Sequence, residues 1–259
     1  MKPALILALG MLFAMPLRAA GEVADIPTRP GVTQRVLLLK PDQPLAVLVM
    51  FVGGDSALGI RDDGSLTRGG ASLLLRTSPL FTRSGFAVAI VDIPSDQQAM
   101  PVANFRESAA HAQDIAAVIA FIRKINNLPV WLIGASSGTT SVLNAAIRLQ
   151  KNGADGIVLT SSISAEWGGT LMTQLSKIRV PALSVRKSDP CHPENDSSGI
   201  MGALKNSAKA EEIAINSVPA AGADSCKTPP THGYLGLEYQ LVDTISGWIK
   251  TALRQPDFI

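Results

Sequence analysis

The chain has 259 residues, of which 46% are hydrophobic, and its formal net charge at pH 7 is +2. This length supports one well-packed core, so we expect residues 21–259 to form a single domain. The small net charge, without a long basic or acidic run, gives no electrostatic basis for binding nucleic acid or an anionic membrane surface.

Residues 1–20 have the organisation of a secretory signal peptide. Lys2 supplies a positive charge, residues 4–17 form an apolar run, and small residues around Ala20 and Gly21 offer a cleavage site. An apolar run of this length is short for a membrane-spanning helix, so we expect cleavage rather than an uncleaved anchor. The sequence therefore predicts a protein exported to the periplasm or secreted, without a stable membrane anchor.

Apolar strands alternate with amphipathic helices along the mature chain. Residues 21–35 are polar and contain two prolines, which indicates an extended arm. Strands are expected at residues 36–40, 45–52, 86–93, 129–133, 156–160, 180–186 and 212–216, and helices at residues 71–83, 108–124, 137–149 and 237–253. The continuous apolar run at residues 45–52 is typical of a strand buried on both faces. The alternation predicts an α/β fold with a mostly parallel central sheet and helices on both faces.

The strand at residues 129–133 runs directly into Gly134-Ala135-Ser136-Ser137-Gly138, which has the pattern G-x-S-x-G. The flanking glycines allow a sharp turn from strand to helix, and this turn holds the central serine in a strained conformation at the sheet edge. The N–H of Ser137 lies at the start of the helix, where it can donate to a developing oxyanion. We interpret Ser136 as a nucleophile. The alternative is an ordinary tight turn whose serine caps the helix.

A serine nucleophile needs a histidine to accept its proton, and the chain has three histidines. His111 lies within an amphipathic helix, and His192 lies beside Cys191 in a proline-rich loop. His232 follows the last expected strand and precedes the C-terminal helix, so its loop can reach a serine at the same sheet edge. We therefore predict that His232 is the base, the alternative being a solvated loop histidine.

These features resemble the α/β-hydrolase superfamily over nearly the whole mature chain. The matching features are the turn at Ser136, Asp189 after the strand at residues 180–186, and the late His232, in the superfamily order serine, acid, histidine. The resemblance implies that the Asp189 carboxylate orients the ring of His232. Asp224 is the competing acid, because it is closer to His232 in the sequence.

The resemblance also implies a second oxyanion donor and an open site. Gly54 follows the strand that leads into the oxyanion hole in this superfamily, so its N–H is expected to act together with the N–H of Ser137. Phe51-Val52 precedes the glycines here, in place of the fuller HGGG pattern. Residues 161–178 leave room for only a short excursion where the superfamily usually inserts a lid, so we expect little or no lid.

Cys191 and Cys226 are the two cysteines of the chain, and both lie in its mature part. In an oxidising compartment we expect them to form one disulfide, with free buried thiols as the alternative. The bridge would join the loop after Asp189 to the loop before His232. This is a structural reason to prefer Asp189 to Asp224 as the acid.

The sequence thus predicts a serine hydrolase that cleaves carboxylic esters, on small molecules or on larger acylated ones, through an acyl-enzyme. A thioesterase, a peptidase or an acyltransferase would use the same residues, and a non-catalytic binding protein could retain the fold. We expect no metal, because no spaced ligand pair accompanies the cluster of Asp189, Cys191 and His192. We also expect no cofactor, since the sequence has no dinucleotide or P-loop fingerprint. A monomer is expected.

Overall fold

A computed structural model of the protein describes residues 21–98, 102–162, 169–188, 198–216 and 234–255. The expected signal peptide, His192, His232, both candidate acids and both cysteines lie outside these ranges. The strands are β1 (Glu22–Arg29), β2 (Val32–Leu39), β3 (Val47–Phe51), β4 (Ala87–Val91), β5 (Val130–Ala135), β6 (Gly156–Thr160), β7 (Ala182–Ser188) and β8 (Ala210–Asn216). The α-helices are α1 (Leu73–Arg83), α2 (Val102–Arg106), α3 (Ala109–Ile125), α4 (Gly138–Leu149), α5 (Gly169–Gln174), α6 (Ser198–Ala203) and α7 (Glu238–Ala252).

The strands form one eight-stranded sheet in the order β1-β2-β4-β3-β5-β6-β7-β8. β2 pairs antiparallel with both β1 and β4, whereas the pairs from β4 to β8 are parallel. The predicted mostly parallel sheet is therefore confirmed. Because parallel strands end at the same edge of a sheet, the carboxyl ends of β3, β5, β6 and β7 lie together there.

The N-terminal segment forms a strand, so the expectation of an extended arm was wrong. β1 pairs with β2 from Glu22 opposite Leu38 to Arg29 opposite Val32, and the register shifts between Pro27 and Arg29. An edge strand tolerates proline, because only one of its sides is bonded to a neighbour. Pro27 therefore lies in an edge strand without preventing its pairing, and Pro30 lies in the turn between β1 and β2.

Alternate residues of the central strands enter two separate cores. In β3, Val47, Val49 and Phe51 pack in the core that contains α3 and α4. Leu48 and Met50 pack in the opposite core, with α1 and α7. All five side chains are buried, which confirms the expectations of a doubly buried strand and of helices on both faces.

The four predicted helices are α1, α3, α4 and α7, and each observed end lies within two residues of the expected one. The short helices α2, α5 and α6 were not predicted, since so few residues carry little periodic signal. Across the described ranges, none of the helices combines the length and the apolar character needed to cross a membrane.

Candidate active site

Ser136 occupies the turn between β5 and α4 with a backbone φ of +52°. For a residue other than glycine this left-handed conformation costs roughly 1–2 kcal/mol. Two hydrogen bonds hold the turn in place. The N–H of Ser136 donates to the carbonyl of Thr160 on β6 at 3.0 Å, and the N–H of Thr139 donates to the carbonyl of Ser136 at 2.9 Å. The strained serine expected from the sequence is therefore present.

Both glycines of this turn are required by close contacts. A Cβ atom on Gly138 would lie 2.0 Å from the carbonyl oxygen of Phe51, and one on Gly134 would lie 2.6 Å from the carbonyl oxygen of Gly138. A larger residue at position 138 would force the first turn of α4 away from β3, and one at position 134 would force it away from β5. The expected close approach of helix and strand is confirmed.

The loop after β3 lies against the serine turn. A Cβ atom on Gly53 would lie 3.0 Å from the Cβ of Ser136 and 3.6 Å from its Oγ. The hydroxyl of Ser137 donates to the carbonyl of Gly54 at 3.3 Å. Neither the N–H of Gly54 nor that of Ser137 donates to any described residue. The structure thus brings together Ser136 and the two residues expected to supply oxyanion donors.

A cavity of about 200 Å³ opens beside Ser136. Its lining consists mainly of small side chains from the loop after β3, the start of α1 and the ends of β5 and β6: Gly53, Ala71, Ser72, Leu73, Ala135, Ser136 and Ser161. The contributions of α1 and of Ser161 were not predicted from the sequence. The position of Ser161 directly after β6, at the carboxyl edge of the sheet, was a signal that could have revealed it.

A larger cavity, of about 840 Å³, lies at the opposite end of the sheet. Residues preceding β3 and β5 line it, among them Leu45 and Pro129. Open parallel sheets bind their ligands at the carboxyl ends of the strands. The smaller cavity at Ser136 is therefore the better candidate for an active site.

Tyr234 lies shortly before α7 and packs against the sheet near the carboxyl ends of β6 and β7. Its side chain is 1% exposed, and its hydroxyl donates to the carbonyl of Val185 on β7 at 2.8 Å. Burial raises the pKa of Tyr234 to about 12, while polar groups of Thr160 and Ser161 act in the opposite direction. Tyr234 thus packs among the ends of β6 and β7.

His111 lies on α3, as expected, and its ring is buried against other rings. The ring centroids of His111 and Phe105 are 5.0 Å apart, and those of His111 and Phe51 are 6.2 Å apart. Neither ring nitrogen has a hydrogen-bond partner among the described residues. Burial, with smaller contributions from Arg106 and Arg29, lowers the pKa of His111 to about 3. A ring enclosed in this way is not placed to accept a proton from Ser136.

The described residues hold no cluster of three or more His, Cys, Asp or Glu side chains arranged to bind a metal ion. The expected acid and base, Asp189 and His232, and the expected disulfide Cys191–Cys226 fall outside those ranges. Their roles remain predictions.

The overall fold is shared with solved structures. A serine hydrolase of the α/β class without a lid, from Xanthomonas campestris, matches with a TM-score of 0.55 over 90% of this chain and 96% of that chain, at 14% sequence identity. The chain has the α/β-hydrolase fold. The same fold accounts for the match to dienelactone hydrolase from Anabaena variabilis, with a TM-score of 0.61 over 89% of this chain and 97% of that one, at 13% identity.

Proline iminopeptidase from Mycobacterium smegmatis also matches this α/β-hydrolase fold, with a TM-score of 0.62 over 89% of this chain and 98% of that chain, at 10% identity. No family model matches the sequence, and neither does any curated protein sequence. Structural similarity at such low sequence identity establishes the fold alone, because one fold can carry many activities. Only residues 161–181 separate β6 from β7, which agrees with the expectation of little or no lid.

Proposed function

We propose that the protein is a serine hydrolase that cleaves carboxylic esters through an acyl-enzyme on Ser136. The observation that carries the proposal is the strained backbone of Ser136, with φ of +52°, at the edge of a cavity. A serine that merely capped α4 would have no need of this conformation. Moreover, the N-cap residue of α4 is Ser137, so the capping alternative does not explain Ser136.

In this mechanism Ser136 Oγ attacks the ester carbonyl carbon while His232 takes the hydroxyl proton. The negative charge that develops on the carbonyl oxygen is stabilised by the N–H groups of Gly54 and Ser137. His232 then gives its proton to the departing alcohol oxygen, which leaves an acyl group on Ser136. Water attacks this ester in the same way and releases the carboxylic acid.

The assignment of His232 and Asp189 is supported by the segments that flank them. Asp189 follows the last residue of β7, Ser188, and His232 precedes Tyr234 by two positions. The hydrogen bond from Tyr234 to Val185 joins these two segments at the carboxyl edge of the sheet. An aspartate after β7 can therefore be paired with a histidine before α7.

The cavity favours a small acyl group. Its volume of about 200 Å³ and its lining by short side chains suit an acyl group of a few carbon atoms. We expect kcat/KM to be highest for acetyl and butyryl esters and to fall with longer acyl chains. A panel of p-nitrophenyl esters of graded chain length measures this preference. A maximum at long-chain esters would contradict the assigned acyl site.

The proposal is tested by incubating the mature protein with a fluorophosphonate and weighing it by mass spectrometry. We expect one covalent adduct on the wild type, located at Ser136, and none on the Ser136→Ala variant. Ser84→Ala, which changes a serine at the end of α1, is the matched control and should be labelled like the wild type. A folded wild-type protein that gives no adduct and hydrolyses no ester would support a binding protein instead.

The acid is identified by comparing Asp189→Asn with Asp224→Asn. We expect Asp189→Asn to lower kcat by about 10⁴, as is typical when the histidine loses its orienting carboxylate. Asp224→Asn should retain the wild-type rate. Loss of activity in Asp224→Asn alone would transfer the role to Asp224.

We also propose that the protein is exported and carries a Cys191–Cys226 disulfide. Cleavage after Ala20 or Gly21 leaves β1 intact, because this strand begins at Glu22. Mass spectrometry of the protein from the periplasm or the medium should show a mature N-terminus at Gly21 or Glu22. Alkylation of the denatured protein without a reductant should modify neither cysteine, whereas modification of both, as expected for free buried thiols, would rule out the bridge.

A further inference from the structure

Arg106, at the end of α2, is a buried guanidinium beneath the loop that follows β3; it is 3% exposed. Its Nη1 donates to the Oγ of Ser141 at 2.7 Å. Its Nη2 donates to the carbonyls of Val52 at 2.9 Å and Gly54 at 3.1 Å, and to the hydroxyl of Ser56. Among the described residues, all four acceptors are uncharged oxygen atoms.

A charge buried in this way is costly to the fold. Burial lowers the pKa of Arg106 to about 10, with the charge of Asp55 acting in the opposite direction, so the guanidinium stays protonated at neutral pH. An apolar side chain of similar size would fill the same space without the loss of hydration. The presence of an arginine at this position is therefore explained by its hydrogen bonds and not by the space that it fills.

Two of the hydrogen bonds from Arg106 hold the carbonyls of the peptide groups on either side of the Gly54 N–H. The carbonyls of Val52 and Gly54 lie on either side of the peptide that joins Gly53 to Gly54. Two consecutive glycines have wide conformational freedom, and both Gly54, with φ of +69°, and Ser56, with φ of +57°, are in the left-handed region. Fixing both flanking carbonyls restricts the rotation of the peptide that carries the Gly54 N–H.

The same guanidinium also holds the helix that carries the other donor. Ser141 lies in α4 and is fully buried, and the residue before α4 is Ser137. One planar group thus connects α4 with the loop of Gly54. Arginine suits this connection because its five donors are arranged in a rigid fork.

We propose that Arg106 is a positioning residue of the oxyanion site, holding the Gly54 N–H in place relative to the N–H of Ser137. The inference rests on the proposed function, since it assigns the two N–H groups to a tetrahedral oxyanion. Arg106 itself does not line the cavity at Ser136. Its effect on the reaction is transmitted through the loop that it holds.

The test compares wild type with Arg106→Lys, because the compact ammonium of lysine cannot span all four acceptors. We expect kcat for p-nitrophenyl acetate to fall about 10- to 100-fold, as when an oxyanion donor is misplaced. KM should stay within about twofold, since the donors act mainly on the transition state. Affinity for a trifluoromethyl ketone, which forms a tetrahedral oxyanion on the serine, should fall by the same factor as kcat.

Hydrogen exchange provides a readout that does not depend on activity. Amides of residues 53–58 should exchange faster in Arg106→Lys than in the wild type. Arg148→Lys is the matched control, because Arg148 donates to the Oδ1 of Asn144 at 2.7 Å and to the carbonyl of Glu107 at 3.3 Å. Arg148 does not contact the loop after β3. In Arg148→Lys, kcat, KM, the affinity for the trifluoromethyl ketone and the exchange rates of residues 53–58 should therefore equal those of the wild type.

A folded Arg106→Lys variant with wild-type kcat and wild-type exchange would overturn the positioning role. If this variant does not fold, Ser141→Ala removes one acceptor on α4 and should lower kcat about fivefold, the equivalent of one hydrogen bond; an unchanged kcat there would also overturn it. A wild-type protein that fluorophosphonate does not label would refute the proposed function itself. A labelled wild type with an unaffected variant refutes the role of Arg106 alone.

Discussion

The hydroxyl of Tyr234 donates a hydrogen bond of 2.8 Å to the backbone carbonyl of Val185, and this bond joins the segment before α7 to β7. Tyr234 is 1% exposed, so the bond is shielded from water. The segment contains the proposed base His232, and β7 leads into the proposed acid Asp189. The contact therefore joins the two parts of the chain on which the proposed triad depends.

Tyr234→Phe should destabilise the protein by about 1–3 kcal/mol, because it leaves the buried Val185 carbonyl without this donor. Ester hydrolysis should also slow, since the segment that carries His232 loses an anchor. Urea unfolding and kcat measurements test the two effects. Tyr239→Phe is the control, because Tyr239 is 69% exposed, and its stability should lie within about 0.5 kcal/mol of wild type. Equal stability of the two variants would show that the bond contributes nothing.

Gly138→Ala should destabilise the fold by several kcal/mol, because the new Cβ would lie 2.0 Å from the carbonyl oxygen of Phe51. Gly247→Ala is the matched substitution, since an added Cβ on this exposed residue of α7 meets no atom within 4 Å. Alanine there should stabilise the protein by about 0.5–1 kcal/mol through helix propensity. Thermal unfolding distinguishes the two. A stable, active Gly138→Ala variant is incompatible with the close approach described for β3 and α4.

His111 should make stability depend on pH between about 5 and 7. The pKa of His111 is lowered from its ordinary 6.5 to about 3 by burial, so the folded protein keeps the ring neutral. As the pH falls through 6.5, the unfolded chain binds a proton that the folded chain does not, and stability is lost. From pH 7 to pH 5 the loss attributable to this histidine is about 2 kcal/mol.

The His111→Phe variant retains an aromatic ring and cannot take up a proton. Its free energy of unfolding should therefore fall by about 2 kcal/mol less than that of the wild type over the same pH range. Chemical denaturation at pH 7, 6 and 5 measures the difference. If the free energy of unfolding falls equally with pH in the two proteins, His111 takes up its proton equally in the folded and unfolded states.

The serine turn could be predicted from the sequence because its geometry depends on five consecutive residues. Gly134 and Gly138 allow the close approach of strand and helix, and Ser136 between them takes the strained conformation. The positions of Arg106 and Tyr234 could not be predicted in this way. Their partners are distant in the chain and come together only when the sheet and helices pack. A buried arginine has no periodic signal, and a tyrosine in a loop reads as an ordinary surface residue.

Asp92 should be essential for the far part of the loop after β3. Its carboxylate accepts hydrogen bonds from the N–H groups of Leu58 at 2.8 Å, Ile60 at 2.9 Å and Ile93 at 2.8 Å. Asp92→Asn replaces one acceptor oxygen by an NH₂ donor that faces other donors, so we expect a loss of about 2–3 kcal/mol and faster hydrogen exchange in residues 57–60. Asp62→Asn is the control. The Asp62 side chain is 93% exposed and forms an ion pair with Arg35, and exposed ion pairs contribute about 0–1 kcal/mol to stability. Similar stability of the Asp92→Asn and Asp62→Asn variants would mean that other contacts hold the loop.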